Sequence, residues 1–526
     1  MRLSRLVRPS LAATLLAVAT IPPAAAGSPQ SIELELLGRY ESGIFGASAA
    51  EITAFDARSG QLFVVNAAQG RLDVLSLADP SDPTPVGVID TSAFGPVVNS
   101  VAVHHGLVAV AVEAAPKTDP GTVAFYRSDG TFVRAVEVGA LPDMLTYTPD
   151  GRHVLVANEG EPNDAYTVDP EGSISIIEVA TGAVRTVGFE DFNEGGPRHA
   201  ELDPRIRIFG PGASVAQDLE PEYVTVSHDG RWAWAVLQEN NALAIIDLET
   251  AVVDSLVALG FKDHSLPGHG IDASDRDGAI NITTWPVYGM YLPDGIASYR
   301  SRGQTYLVTA NEGDARAWAG YEEEARVNDL DLDPIAFPDA EALQEDEALG
   351  RLTVTTANGD VDGDGEFEEL YAFGARSLSI WTADGSLVWD SGEDLEQITA
   401  VAYPDHFNSN HEEGDSFDNR SDNKGPEPED VEIGQVRGRT YAFVGLERMG
   451  GVVVYDVTDP RGPSFVTYQN DRDFGGDPEA GTAGDLGAEG VLFIPASDSP
   501  IPGTALLVVA HEISGSVAVY AVSPTR

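Results

Sequence analysis

The 526-residue chain contains no cysteine. Disulfides, thiolate metal sites and a lipid-modified cysteine are therefore excluded, and stability rests on core burial and on any bound ions. Lysine is nearly absent too, and 31 basic residues stand against 84 acidic ones, a formal charge of −53. So acidic a chain repels nucleic acid and anionic membranes and attracts divalent cations. Adaptation to saline surroundings explains the same acidity equally well. Beyond the N-terminus no stretch approaches the roughly 18 uninterrupted apolar residues of a membrane span, so no membrane insertion is expected. Helical periodicity is scarce. A G-x-S-x-G elbow, an H-E-x-x-H pair and a P-loop are all missing, and the ten histidines are scattered.

The first 26 residues carry the marks of an export signal. Arg2, Arg5 and Arg8 form a basic start, residues 11–20 are apolar, and Ala24, Ala25 and Ala26 supply small residues for cleavage. Residues 27–526 are then expected as one exported domain, secreted or periplasmic and monomeric.

What is abundant is short β-rich runs punctuated by Gly, Asp, Asn and Pro. They align as one returning unit: a polar or acidic residue, a strand, a D-G-type turn, a strand ending in a polar pair, then a G-x-[VIL]-x-[VIL] strand. Seven copies begin at Glu51, Asn99, Pro142-Asp143, Glu220-Pro221-Glu222, Pro293-Asp294, Glu427-Pro428-Glu429 and Glu489. The pattern predicts an all-β chain, a seven-bladed β-propeller with long acidic loop insertions. A tandem of β-sandwiches is the alternative, and a single seven-fold repeat speaks against it. Extra length falls in irregular acid-rich stretches near 187–213, 262–290, 313–350, 404–426 and 468–487, and the strand at 32–40 is expected to close the ring on the last copy.

Residues at one point of every copy must form a ring. Asp143, Glu220, Glu222, Asp294, Glu427, Glu429 and Glu489 share one such point. Glu159, Glu239, Glu312, Glu447 and Glu512 share another, at the second-strand ends. Carboxylates gathered so closely raise one another's pKa unless cations intervene, so a metal-lined pocket is expected. Pairing with arginines, or wide wet loops, is the plainer reading. The stretch R-S-D-N-K-G-P-E-P-E-D at 420–430 concentrates both signs of charge. Strand alternation would aim Glu427 and Glu429 to one side. Arg316, Arg420, Lys424 and Arg448 can clamp an oxyanion beside a metal, or serve as structural ion pairs.

The sharpest single motif is D-V-D-G-D-G-E-F-E at 360–368. Asp360, Asp362, Asp364 and Glu368, at loop positions 1, 3, 5 and 9 with Gly365 at 6, match the opening of a calcium loop. Tyr371 stands where an EF-hand needs glutamate, so a calcium-binding β-hairpin loop is the expectation. Asp314 adds an acid beside Glu312. A second acidic loop, D-A-S-D-R-D-G at 272–278, reads equally as a metal site or a solvated turn.

Several of these stretches in order resemble the choice-of-anchor I family: L-P-D-G-I at 292–296, N-E-G-D-A-R at 311–316, F-D-N-R-S-D-N-K-G-P-E-P-E at 417–429, F-V-G-L-E-R at 443–448 and H-E-I-S-G at 511–515. The resemblance implies a β-propeller, export and Ca²⁺ binding. Some bacterial members are labelled alkaline phosphatase, a label that brings no catalytic residue with it. Two functions follow as expectations. One is a non-catalytic calcium-binding propeller at extracellular matrix, mineral or adhesion contacts. The other is a metal-dependent phosphatase or phosphodiesterase acting on a phosphate ester, with Glu427, Glu429, Arg420, Lys424, Arg448 and Arg316 as catalytic candidates.

Overall fold

A computed structural model describes residues 31–525; the expected export signal lies outside the described residues. The apolar runs become second strands, among them Gln61–Asn66, Leu107–Glu113, His153–Asn158 and Trp232–Leu237. Their central residues are all buried. They read as continuous apolar runs because both of their faces pack against neighbouring sheets. Fourth strands sit at the rim: Thr84–Asp90 is exposed everywhere except Ile89.

Seven four-stranded sheets result. The first runs Thr53–Asp56, Gln61–Asn66, Arg71–Ser76 and Thr84–Asp90. The innermost strands of the next six are Val97–His104, Pro142–Tyr147, Pro221–Val226, Ile296–Ser301, Pro428–Val436 and Ala488–Ile494. Each inner strand lies against the next, and Ala488–Ile494 returns to Thr53–Asp56, so the circuit is closed as a β-propeller. The seventh sheet takes its outer strand from the other end of the chain. Ile32–Glu41 runs antiparallel to Ser516–Pro524, with Ile32 opposite Pro524 and Glu41 opposite Ser516.

The D-G turns behave as their chemistry requires. Gly151 and Gly230 take φ of 67° and 68°, the left-handed region where a side chain is disfavoured. At Gly151 a Cβ would also come within 2.1 Å of the His104 ring, which places the His104–His105 pair in turn packing.

Two of the stretches expected to be irregular are partly ordered as strands. Phe261–Asp263, Tyr288–Met290, Tyr371–Ala372, Thr353–Thr355 and Glu324–Arg326 form a five-stranded sheet. One of its pairings is parallel, Tyr288 opposite Tyr371. This sheet has its own core, including Ile271, Val327, Leu352, Val354 and Leu370. The longest helix among the described residues, Asp394–Ala402, follows the fifth propeller sheet and buries Leu395, Glu396 and Thr399.

Candidate functional site

The register of five sheets breaks at one recurring place, the start of the inner strand. A β-bulge inserts a residue there and re-aims a side chain. The re-aimed positions hold Asn99, Asp143, Glu222, Glu429 and Glu489. Glu51 and Asp294 occupy the matching places in sheets one and five. The seven positions therefore carry six carboxyl groups and one amide around the central channel. A cavity of about 270 Å³ is lined by Glu51, Asn99, Glu113, Asp143, Asp294, Glu429 and Glu489. The ends of the second strands bring a further tier: Glu113, Glu159, Glu239, Glu312, Glu447 and Glu512. Glu51 and Glu113 were missing from the sequence-based rings, although both stand at the equivalent points of their copies.

Burial pushes the Asp143 carboxyl up to about 7, and Glu161 and Glu113 push it further. Glu51 rises to about 8 and Glu239 to about 7, again chiefly through burial. Glu159, Glu222, Asp294, Glu429, Glu447 and Glu489 all stand well above the usual carboxylate range, through burial and then one another's charge. Gly295 N–H donates to the Glu429 carbonyl at 3.1 Å, which sets the Asp294 and Glu429 carboxyl groups side by side, an arrangement that disfavours ionising both. Glu429 Oε2 is buried without a hydrogen-bond partner. A chamber of this kind can take up protons or hard cations, since carboxylate oxygens are the ligands such cations take.

Glu427 has different surroundings from Glu429. Its backbone is left-handed, φ 52°, which breaks strand alternation just before Pro428 and undoes the expectation that both glutamates share a side. Arg420 donates to its Oε1 from Nε at 3.0 Å and Nη2 at 2.7 Å. Arg448 Nε donates to Oε2 at 3.0 Å, and Lys424 Nζ lies 3.5 Å from the same oxygen. Against burial, these three cations hold the Glu427 carboxyl well below its usual range. Lys424 also pairs with Glu312 and, at 3.5 Å, with the exposed Asp314.

Arg316 is elsewhere, buried between Asp218 and Glu220, with Nη2 2.9 Å from Glu220 Oε2. Glu220 is thereby held against the arginine and does not line the cavity, so of the E-P-E pair at 220–222 only Glu222 occupies the bulge position.

Two acidic groups border the cationic knot. Glu312, Glu427 and Glu447 bring one oxygen each within 4.8 Å of one another, but Lys424, Arg420 and Arg448 already supply that group's positive charge. His411, Glu447 and Glu512 converge similarly. There His411 Nε2 faces Arg448 Nη1 at 2.9 Å. A guanidinium only donates, so Nε2 keeps the lone pair and the neutral ring carries its hydrogen on Nδ1. Nδ1 is then unsuited to bind a metal. Burial and Arg448 pull this imidazole down to about 3.

The 360–368 loop curls around Asp360, whose carboxylate accepts the N–H groups of Gly363 at 2.7 Å, Asp364 at 3.1 Å and Gly365 at 3.1 Å. Glu368 folds back to accept from Val361 N–H at 2.7 Å. Asp360, Asp362 and Glu368 thus bring one oxygen each within 4.8 Å. Asp364 accepts from Glu366 N–H instead and stands outside that group.

Fold and site together define a closed β-propeller whose central channel is ringed by buried carboxyl groups. The chain belongs to the choice-of-anchor I domain family, whose model matches residues 51–460. It is 30% identical over 307 residues to the mesenchyme-specific cell surface glycoprotein of Strongylocentrotus purpuratus, covering 51% of this chain and 38% of that protein. It is 31% identical over 190 residues to Gigasin-3a of Magallana gigas, covering 34% of this chain and 66% of that protein. The chain thus spans less than two thirds of the length of either relative. Among solved structures it is similar to Kuenenia stuttgartiensis hydrazine synthase, at 13% identity and a TM-score of 0.47, covering 91% of this chain and 98% of that one. No helix among the described residues is long and apolar enough to cross a membrane.

Proposed function

We propose that this chain is an exported calcium-binding propeller that works by binding, at extracellular matrix, mineral or adhesion contacts, rather than by catalysis. One contrast carries the reading. Among the described residues the six inner-strand carboxyls, Glu51, Asp143, Glu222, Asp294, Glu429 and Glu489, form no ion pair, whereas each base nominated to clamp a phosphoryl oxygen is committed to a carboxylate: Arg420 and Arg448 to Glu427, Lys424 to Glu312, Arg316 to Asp218 and Glu220. Calcium is the fitting ion because every ligand on offer is a hard oxygen and no thiolate exists. The printed name of the sea-urchin relative, a cell surface glycoprotein, supports the extracellular setting.

The test is hydrolysis of p-nitrophenyl phosphate and its bis ester by metal-stripped protein, before and after calcium is restored, beside a calcium titration. Tight calcium binding without turnover is the expected result. Calcium-dependent turnover that vanishes in Glu429→Gln would establish the phosphoric ester hydrolase instead.

A further inference from the structure

Away from the channel and from the 360–368 loop, two buried oxygens lack the partners their chemistry demands. Asn408 and Asp418 are 0% and 1% exposed. Their segments run face to face: Asp418 N–H donates to the Phe407 carbonyl, and Arg420 N–H to the Asn408 carbonyl. Asn408 Nδ2 donates to Ser421 Oγ at 2.9 Å and to Glu396 Oε1 at 3.2 Å. Ser421 Oγ in turn donates to Asp418 Oδ1 at 2.6 Å. These bonds orient both side chains and leave Asn408 Oδ1 and Asp418 Oδ2 as buried acceptors without a donor. Such orphans are rare in folded proteins and call for a specific explanation.

The charge around them points the same way. Asp272, fully buried, comes in from the D-A-S-D-R-D-G loop, its carboxylate oriented by the N–H groups of Ser274 and Asn281. Burial first, and then Asp272 and Asp277 among its neighbours, push the Asp418 carboxyl up to about 8. The adjacent Arg376 is engaged by Glu396 and by the carbonyls of Asp272, Ser421 and Asn423. Among the described residues no ion pair joins Asp272, Asp277 or Asp418 to a basic side chain.

We infer that Asp418, Asn408 and Asp272 hold a hard divalent cation of calcium's class where the 272–278 loop meets the 408–421 segment. Carboxylate and amide oxygens on short side chains are the donors such an ion takes, and the two orphaned oxygens are the open positions. The site stands whether or not the channel binds calcium. Its rival is a proton: Asp418 remains neutral and donates to Asn408.

Calcium titration and thermal melts of the full mature chain, stripped of metal and then reloaded, separate the two. Asp418→Asn should bind one calcium fewer than wild type. Without metal it should melt at or above wild type, because it removes a buried carboxyl that the charges of Asp272 and Asp277 oppose. With calcium the order should reverse. An unchanged stoichiometry together with the wild-type calcium-induced rise in Tm would overturn the site and leave the proton. Should Asp418→Asn fail to fold, Asp272→Asn must show the same lost ion, and a full complement of calcium in that variant would overturn the inference equally.

Discussion

The carboxyl groups of Asp294 and Glu429 stand side by side where Gly295 N–H of the fifth repeat donates to the Glu429 carbonyl of the sixth at 3.1 Å. Two acids in that relation cannot both ionise without a cation beside them. The relation makes the channel a place where protons and metal ions compete for the same oxygens.

The first consequence is an unusual pH profile. Glu51 is pushed up to about 8 and Asp143 to about 7, whereas unfolded carboxyls titrate near about 4. Between those values the folded chain holds protons that the unfolded chain has released, so stability falls as pH rises. In chelator, Tm should be highest below about pH 5 and decline through pH 8, and calcium should flatten the decline. A flat profile in chelator would contradict the buried acidic ring.

Neutralising one ring member should separate stability from binding. Glu489 is raised by Glu429, Glu512, Glu447 and Glu51 in addition to burial. Glu489→Gln removes one repelling charge. At pH 8 in chelator its Tm is expected to exceed wild type, while calorimetry shows weaker calcium binding. Tighter binding would mean that the ring is not a cation site.

Glu427→Gln should behave in the opposite way. It strips the shared partner from Arg420, Lys424 and Arg448, and breaking such a buried pair typically costs about 3–5 kcal/mol. Urea denaturation should register that loss, with calcium stoichiometry unchanged.

In the 360–368 loop, Asp362→Ala should remove one bound calcium, because Asp360, Asp362 and Glu368 bring their oxygens together. Asp364→Ala should weaken binding less, since Asp364 lies outside that group. Equal effects would show that the loop rearranges around its ion.

Much of the ring was legible in the chain, and the reason is repetition. A polar residue stands ahead of the inner strand in copy after copy, displaced by a bulge at Asp143, Glu222, Glu429 and Glu489 and in the matching place at Asp294, so these could be superposed without coordinates. Glu220 and Glu427 misled because E-P-E looks symmetrical in sequence, whereas Arg316 binds one outer glutamate and the Arg420, Lys424 and Arg448 knot binds the other. The inserted sheet was illegible for a different reason. Its strands are two or three residues long, and Tyr288 finds Tyr371 across more than eighty intervening residues. Asn408 carried no motif and Asp418 stood only inside the 417–429 stretch, with nothing to mark it as a ligand; only tertiary contact leaves their oxygens stranded.

The outer strand of the seventh sheet comes from residues 32–41 and its neighbour from residues 516–524. A chain delivered in order of synthesis therefore offers residues 32–41 early, and that strand waits for residues 516–524 before it has a mate. The seventh sheet, which carries Glu489, is completed late, and the inner-strand carboxyl groups share one channel only once Ala488–Ile494 lies against Thr53–Asp56.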